Sequence, residues 1–218
     1  MRSFFPLMIN LGFVFLYVDL YQRGKISAFG MVALIVGTFI AVNLLYLYLK
    51  KFFVAKNVRE LKKISHLQTE NPEIYLSKLD EKIQKAKDYE LDYLTFHKAN
   101  TLAKFNRNDE AVEILQNHYP LYLDDANKAL YFNNLIGLYL KKKDFVNAKK
   151  IFEQNKSLLK SFEINKSFGY SILINEAGLY LHLGDKKLAL KYLNMAINIA
   201  PEGDRKREIE DFKQKNNL

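Results

Sequence analysis

Residues 172–201, ILINEAGLYLHLGDKKLALKYLNMAINIAP, decide the fold. Ala177 and Tyr180 stand three apart, the spacing of one face of an α-helix. Gly184-Asp185 interrupts the pattern, and Ala189, Leu193 and Ala196 resume it. Glycine tolerates the left-handed backbone that closes a helix, and Asp accepts the free amides that open the next. Pro201, which cannot continue a helix, ends the second. Ala177 and Ala189 stand twelve residues apart, so two small side chains meet and let the helices close-pack. A large residue beyond each fills the space toward the next unit. The stretch predicts a helical hairpin.

Two upstream stretches repeat this arrangement. In one, Ala99 and Leu102 precede the turn Phe105-Asn106-Arg107-Asn108, and Ala111 and Leu115 follow it. In the other, Gly137 and Leu140 precede a turn near Lys143-Asp144-Phe145, and Ala148 and Phe152 follow. The Ala99–Ala111 interval is twelve, as in the first hairpin, whereas Gly137–Ala148 is eleven. That difference requires a tighter turn or a shifted helix register in the middle unit. Ala111 to Ala148 is 37 residues and Ala148 to Ala189 is 41, so the array is irregular.

These three segments resemble tetratricopeptide repeats, whose period is about 34 residues. The segment at 172–201 carries the small and large residues, the Gly-Asp turn and the closing proline. NNLIGLYLKKKDFVNAKKIFE lacks the turn glycine, and HKANTLAKFNRNDEAVEILQNHYP has Lys98 where the family has an apolar residue. The resemblance covers residues 88–203 and implies a concave groove, lined by the first helix of each hairpin, that holds an extended peptide or a partner helix. Carried onto this chain, the lining is Phe96, Asn100 and Lys104, then Asn134, Leu138 and Lys141, then Ser171, Gly178 and His182. The register ambiguity of the middle unit attaches to its three positions. Lys104 and Lys141 favour acidic side chains or a C-terminal carboxylate. The Lys/Asn pattern of the chaperone-tail carboxylate clamp is not reproduced.

The flanks are helical too. Asn71-Pro72-Glu73 reads as a cap, a first-turn proline and an acid at a helix's positive end, opening a helix through about Lys87. That helix either caps the array or forms half of a degenerate repeat. Asp204–Asn216 is highly charged with Ile209 and Phe212 as its apolar stripe, which suits a solvating end cap. No alternating strand pattern occurs, so the expected class is all-α.

The first fifty residues follow a different rule. Ser3–Gln22 carries a single charge, Asp19, and Ile26–Leu49 carries none over twenty-four residues. Each is about 30 Å or more as a helix, the thickness of a bilayer core. The polar corner Arg23-Gly24-Lys25 makes the expected spans, 3–22 and 26–49, a transmembrane hairpin. A cleaved signal peptide competes for the first span, but no small-x-small site precedes Tyr21-Gln22-Arg23. Lys50, Lys51, Lys56, Arg59, Lys62 and Lys63 follow the second span against one acid, Glu60. The positive-inside rule then places both termini in the cytoplasm. Residues 50–70 read as a basic juxtamembrane amphipathic helix on the lipid surface, and 71–218 as the repeat domain.

Within the spans, Ala33, Gly37 and Ala41 form a small-residue stripe with two possible uses, packing against the first span or a homodimer seam. Asn10 and Asn43 fall at similar depth and are expected to bond across the hairpin.

Charge and composition exclude other classes. The net charge of +9 divides into +2 for residues 1–25, +5 for 50–63 and +2 for 64–218. The basic surplus is therefore juxtamembrane, where it attracts anionic lipid, and does not describe a nucleic-acid-binding face. With no cysteine there is no thiol chemistry and no Cys-ligated metal. His66, His97, His118 and His182 sit on four separate elements without ligand spacing, and there is no phosphate-binding glycine loop. No catalytic residue, cofactor or metal is expected. The abundance of Lys, Ile and Asn resembles the usage of AT-rich bacteria, which makes the membrane a plasma membrane. The expected protein is a cytoplasm-facing adaptor binding a partner protein through its groove. The alternative is an assembly factor that grips another membrane protein through the hairpin.

Overall fold

The structure, a computed structural model, describes the backbone of residues 4–218 and the side chains of residues 6–49, 52 and 59–218. Ser3, at the start of the first expected span, and the side chains of Lys50, Lys51 and Lys56 lie outside the described residues. Among the described residues there are eleven α-helices and no strand, as the sequence predicts. The chain divides into two compact units, Met1–Lys78 and Leu79–Leu218.

The first unit is built on α1 (Phe4–Gln22) and α2 (Ala28–Ile64), which pack together. Gly24, at φ +66°, turns the corner, Asp19 pairs with Arg23 at 2.9 Å, and Ser27 Oγ caps α2 by accepting the Gly30 amide. Met31, Ile35, Thr38, Val42 and Tyr46 of α2 are half-buried and lie on one helical face. The rest is apolar and exposed: Phe29 is 85% exposed, Leu44 61% and Phe15 of α1 73%. Ala28–Leu49 has the length and hydropathy to cross a membrane, whereas Pro6–Gln22 is apolar but shorter. One helix, not two, thus meets that criterion. α2 does not stop at Leu49: its 37 residues run unbroken through the basic stretch to Ile64, about 55 Å. A single helical turn follows, α3 (Leu67–Glu70).

Two expectations for this unit are corrected. Asn10 and Asn43 do not bond to each other. Asn43 donates to the Phe39 carbonyl of its own helix at 2.7 Å, and Asn10 Oδ1 is buried without a partner. The polar tie between the helices is instead Tyr17 hydroxyl to Thr38 Oγ1, 2.8 Å. The stripe Ala33-Gly37-Ala41 does not pack on α1 either. All three are exposed, and a Cβ on Gly37 would meet nothing within 4 Å. The reason is angular: residues 33, 37 and 41 lie on a different side of α2 from the half-buried face of Met31, Ile35, Thr38, Val42 and Tyr46.

α4 (Pro72–Ile83) begins where expected, with Asn71 Oδ1 accepting the Ile74 amide at 3.2 Å, but it ends four residues short of Lys87. The second unit then contains three hairpins: α5 (Asp88–Lys104) with α6 (Asn108–Asn117), α7 (Asp125–Lys141) with α8 (Phe145–Ser161), and α9 (Gly169–His182) with α10 (Lys186–Ile199). A last helix, α11 (Asp204–Lys215), closes the array, burying Ile209 and packing Phe212 against the core cluster that holds Leu173, Ala177, Ala189, Leu193 and Ala196.

Each hairpin turns on one left-handed residue: Asn106 (φ 59°), Lys143 (φ 59°) and Gly184 (φ 79°). Counted from it, the residue seven back and the residue five on are Ala99 and Ala111, Ile136 and Ala148, Ala177 and Ala189. All six are buried, the alanines completely. The middle hairpin therefore has the same twelve-residue interval as the others, and the register shifts by one from Gly137 to Ile136. Gly137 faces α9, where an added Cβ would stand 3.3 Å from the Asn175 amide. Gly178 faces α7, with Leu140 Cδ1 at 3.2 Å from such a Cβ. Both glycines bring the first helices of consecutive hairpins close together.

Candidate protein-binding groove

The first helices α5, α7 and α9 pack in sequence, and amide side chains stitch them. Asn134 Nδ2 of α7 donates to Asn100 Oδ1 of α5 at 2.7 Å. Asn133, 2% exposed, donates to Ser171 Oγ of α9 at 2.9 Å and accepts from Asn175 Nδ2 at 2.8 Å. These bonds satisfy polar groups that would otherwise be costly to bury.

Lys104, Lys141 and His182 occupy one structural position, two residues before the left-handed turn of each hairpin, and all are exposed. Among the described residues neither lysine has an ion-pair partner. Lys104 is felt nearby: burial, and then its charge, hold the His97 ring below the usual histidine range. His182 stacks on Phe145 at 3.7 Å between ring centroids. The result is a row of cationic and imidazole groups at the C-terminal ends of α5, α7 and α9, above a floor of asparagine amides and glycine.

Not every residue expected in the lining is there. Phe96 is 7% exposed and tilts against the Tyr131 ring at 5.5 Å, and Leu138 is 4% exposed. Both belong to the core, because an aromatic and a leucine on these helices are drawn between layers of helix. With the register corrected, Asn133 and Gly137 take the places assigned to Asn134 and Leu138. Asn100, Asn134, Ser171 and Gly178 are half-buried.

The sequence reading missed two buried polar clusters. Asp92, 2% exposed, accepts from His118 Nε2 at 2.7 Å and from the Tyr122 amide at 2.6 Å, tying the α6–α7 connection to α5. The second cluster surrounds Glu176, 1% exposed on α9. Lys160 Nζ of α8 lies 2.6 Å from its Oε1 and 2.5 Å from Glu163 Oε1, and donates to the Tyr192 hydroxyl of α10 at 3.1 Å. Neither Glu176 oxygen has a hydrogen bond of normal geometry. Burial, with Glu163 beside it, pushes the Glu176 carboxyl up to about 7. Burial alone would lower Lys160, but its contacts with Glu163, Glu176 and Tyr192 hold it above its ordinary range.

Glu176 also explains a departure from the repeat pattern. It sits directly before the small residue Ala177, as Leu135 precedes Ile136 and Lys98 precedes Ala99. Where this position is charged, the preceding helix supplies the partner: Lys160 for Glu176, and Asp80 of α4 for Lys98, at 2.5 Å. In this respect α4 behaves as the second helix of an incomplete hairpin.

No cluster of three or more potential metal ligands occurs among the described residues. No curated protein and no solved structure matches the chain. Two consecutive stretches, residues 69–121 and 118–210, match the model of one family, described as anaphase-promoting complex subunit 5. The boundary between them falls at the α6–α7 connection, so each match takes in whole hairpins. Spanning α4 to α11 and about two thirds of the sequence, these matches show that the chain belongs to the anaphase-promoting complex subunit 5 family.

Proposed function

We propose that the chain is a membrane-anchored, cytoplasm-facing adaptor that recruits a protein partner through a tetratricopeptide-like groove. The observation that carries this reading is the contrast between the two units. In the first, large apolar side chains point outward along α1 and α2; in the second they are buried between hairpins. Water disfavours the first arrangement at roughly 25 cal/mol per Å² of apolar surface, whereas a bilayer or another apolar surface removes that cost. Two helices hold the chain in the bilayer, the basic stretch through Lys63 lies against lipid head groups, and Lys104, Lys141 and His182 receive an acidic segment. The family's name, that of a subunit of a protein complex, supports a role in protein–protein contact. Tethering raises the local concentration of the partner toward the millimolar range for short linkers.

The absence of native cysteine makes a direct test available. Gly24→Cys is expected to react with an impermeant maleimide added to intact cells, and Ser65→Cys only after lysis. Labelling of Ser65→Cys in intact cells overturns the topology. Crosslinking from the groove is expected to capture a partner that Lys104→Glu/Lys141→Glu loses; equal capture by both overturns the groove.

A second reading, an assembly factor that grips another membrane protein, is favoured by the open face of α2 that carries Ala33, Gly37 and Ala41. Deleting residues 1–49 separates the two. The adaptor keeps its partner without the anchor, and the assembly factor does not.

A further inference from the structure

The second hairpin is unevenly covered. α6 has ten residues and α8 has seventeen, so α6 stops short and the chain continues as an irregular stretch from His118 to Asp124. The missing helical turns leave an open pocket of about 350 Å³ between α6, α7 and α8. Leu115, Phe132, Leu135 and Ile151 give it an apolar lining, and Gln116, Gln154 and Asn155 give it amides. The lining contains no Asp, Glu, Lys or Arg, and its one titratable ring outside tyrosine, His118, is tied to Asp92. Its α7 residues lie on the side of that helix away from Gly137 and Lys141, so it is separate from the groove.

The amides there are not used up. Asn155 spends Nδ2 on the Ile151 carbonyl, leaving Oδ1 as an acceptor, and Gln116 spends Oε1 on the Tyr139 hydroxyl, leaving Nε2 as a donor. One free donor and one free acceptor across an apolar cavity match the N–H and C=O of a peptide backbone. The apolar surface also continues past the mouth. Tyr119 lines the pocket yet is 66% exposed. An exposed tyrosine at the rim of a cavity is characteristic of protein contact surfaces.

We propose that this pocket receives an apolar side chain from an uncharged peptide segment of a partner protein, whose backbone bonds to Gln116 and Asn155. It is a second docking site, chosen by the lack of charge where the groove selects for acid.

The chain has no tryptophan, so a tryptophan-bearing probe reports binding without background. The probe is the blocked peptide acetyl-Ser-Gly-Trp-Gly-Ser-amide, followed by fluorescence anisotropy with the full chain in detergent. Saturable binding is expected. Asn155→Phe, which fills the cavity, is expected to weaken it by about tenfold or more, on the scale of one excluded apolar side chain. Lys104→Glu/Lys141→Glu is expected to leave it unchanged, which keeps this proposal separate from the groove. Melting curves show that each variant is folded, and Gln154→Phe replaces Asn155→Phe if that variant melts low. Non-saturable binding, parental affinity in the folded filled variant, or tighter binding of acetyl-Ser-Glu-Trp-Glu-Ser-amide each overturns the proposal.

Discussion

Replacing Glu176 by leucine removes a buried carboxylate and installs the residue that the middle hairpin already has at that position, Leu135. Three groups act on it, Lys160 of α8, Glu163 of the following loop and Tyr180 of α9, and Lys160 also donates to the Tyr192 hydroxyl of α10. Two carboxylates share one ammonium, and Glu176 is the more deeply buried. Its folded-state value of about 7 stands above the ordinary 4.5, so between those values the folded chain holds a proton that the unfolded chain has released. Stability from this group is therefore complete below about pH 4.5 and is lost as pH rises through 7. The shift corresponds to about 3 kcal/mol between pH 5 and pH 8.5, at 1.36 kcal/mol per unit. Lys160 is charged throughout that window. His97 has the opposite slope, but it is unchanged between parent and variant, so their difference isolates Glu176. Glu176→Leu is expected to be nearly neutral at pH 5 and more stable than the parent by about 1–3 kcal/mol at pH 8.5, since Lys160 keeps Glu163. In thermal unfolding followed by far-ultraviolet circular dichroism, each kcal/mol moves Tm by about 2–4 °C for a chain of this size. As a control, Lys160→Met leaves two carboxylates without a cation and is expected to cost about 2–3 kcal/mol, the ammonium being one-third exposed. A difference in Tm between variant and parent that does not change between the two pH values, or a Glu176→Leu protein less stable than the parent at pH 8.5, refutes the reasoning.

Gly169→Ala places a Cβ 2.2 Å from the Glu163 carbonyl oxygen, a backbone atom that cannot step aside, so a loss of about 3 kcal/mol or more is expected by denaturant titration. Asp92→Ala strands the Tyr122 amide and the His118 ring. It is expected to cost about 2–4 kcal/mol and to speed limited proteolysis within residues 118–124. Tyr17→Phe removes the tie to Thr38 and is expected to cost about 0.6–2 kcal/mol, read from the detergent dependence of α1–α2 association by intramolecular crosslinking.

The hairpins were legible because their signals are local. A small residue, a turn and another small residue lie within thirteen positions, and Ala99, Ala111, Ala177 and Ala189 are all completely buried. The middle unit slipped by one for an equally local reason. Its left-handed residue is Lys143, not glycine, so the turn carried no marker, and Gly137 looked like the small residue facing α8. Only the three-dimensional packing shows that Gly137 faces Asn175 of the next hairpin. Lys104, Lys141 and His182, carried over from the family resemblance, lie exposed near the ends of α5, α7 and α9. Phe96 and Leu138, carried over in the same way, are buried, because a resemblance gives a position in the hairpin but not how many neighbours cover it. Asp92 and Glu176 were invisible: their partners His118 and Tyr122, and Lys160, lie 26, 30 and 16 residues away, beyond the reach of any motif.

The same distinction bears on how a charged position survives inside a repeat. The residue before the close-packing small residue has one neighbour above all, the second helix of the preceding hairpin. A leucine there, as at Leu135, is satisfied by any apolar surface. A charge there needs one particular partner at one particular place, which fixes which helix precedes it. Lys98 requires Asp80 and Glu176 requires Lys160, so the two charged positions specify order in the array where leucine specifies only burial. The two differ in depth. Asp80 is 47% exposed, so the Lys98 pair adds less than about 1 kcal/mol and serves mainly to orient α4. Glu176 is almost fully buried and opposes folding at neutral pH. The consequence available in this fold is that it ties α9 to α8 through Lys160, while Ser171 and Asn175 of α9 bond to Asn133 of α7.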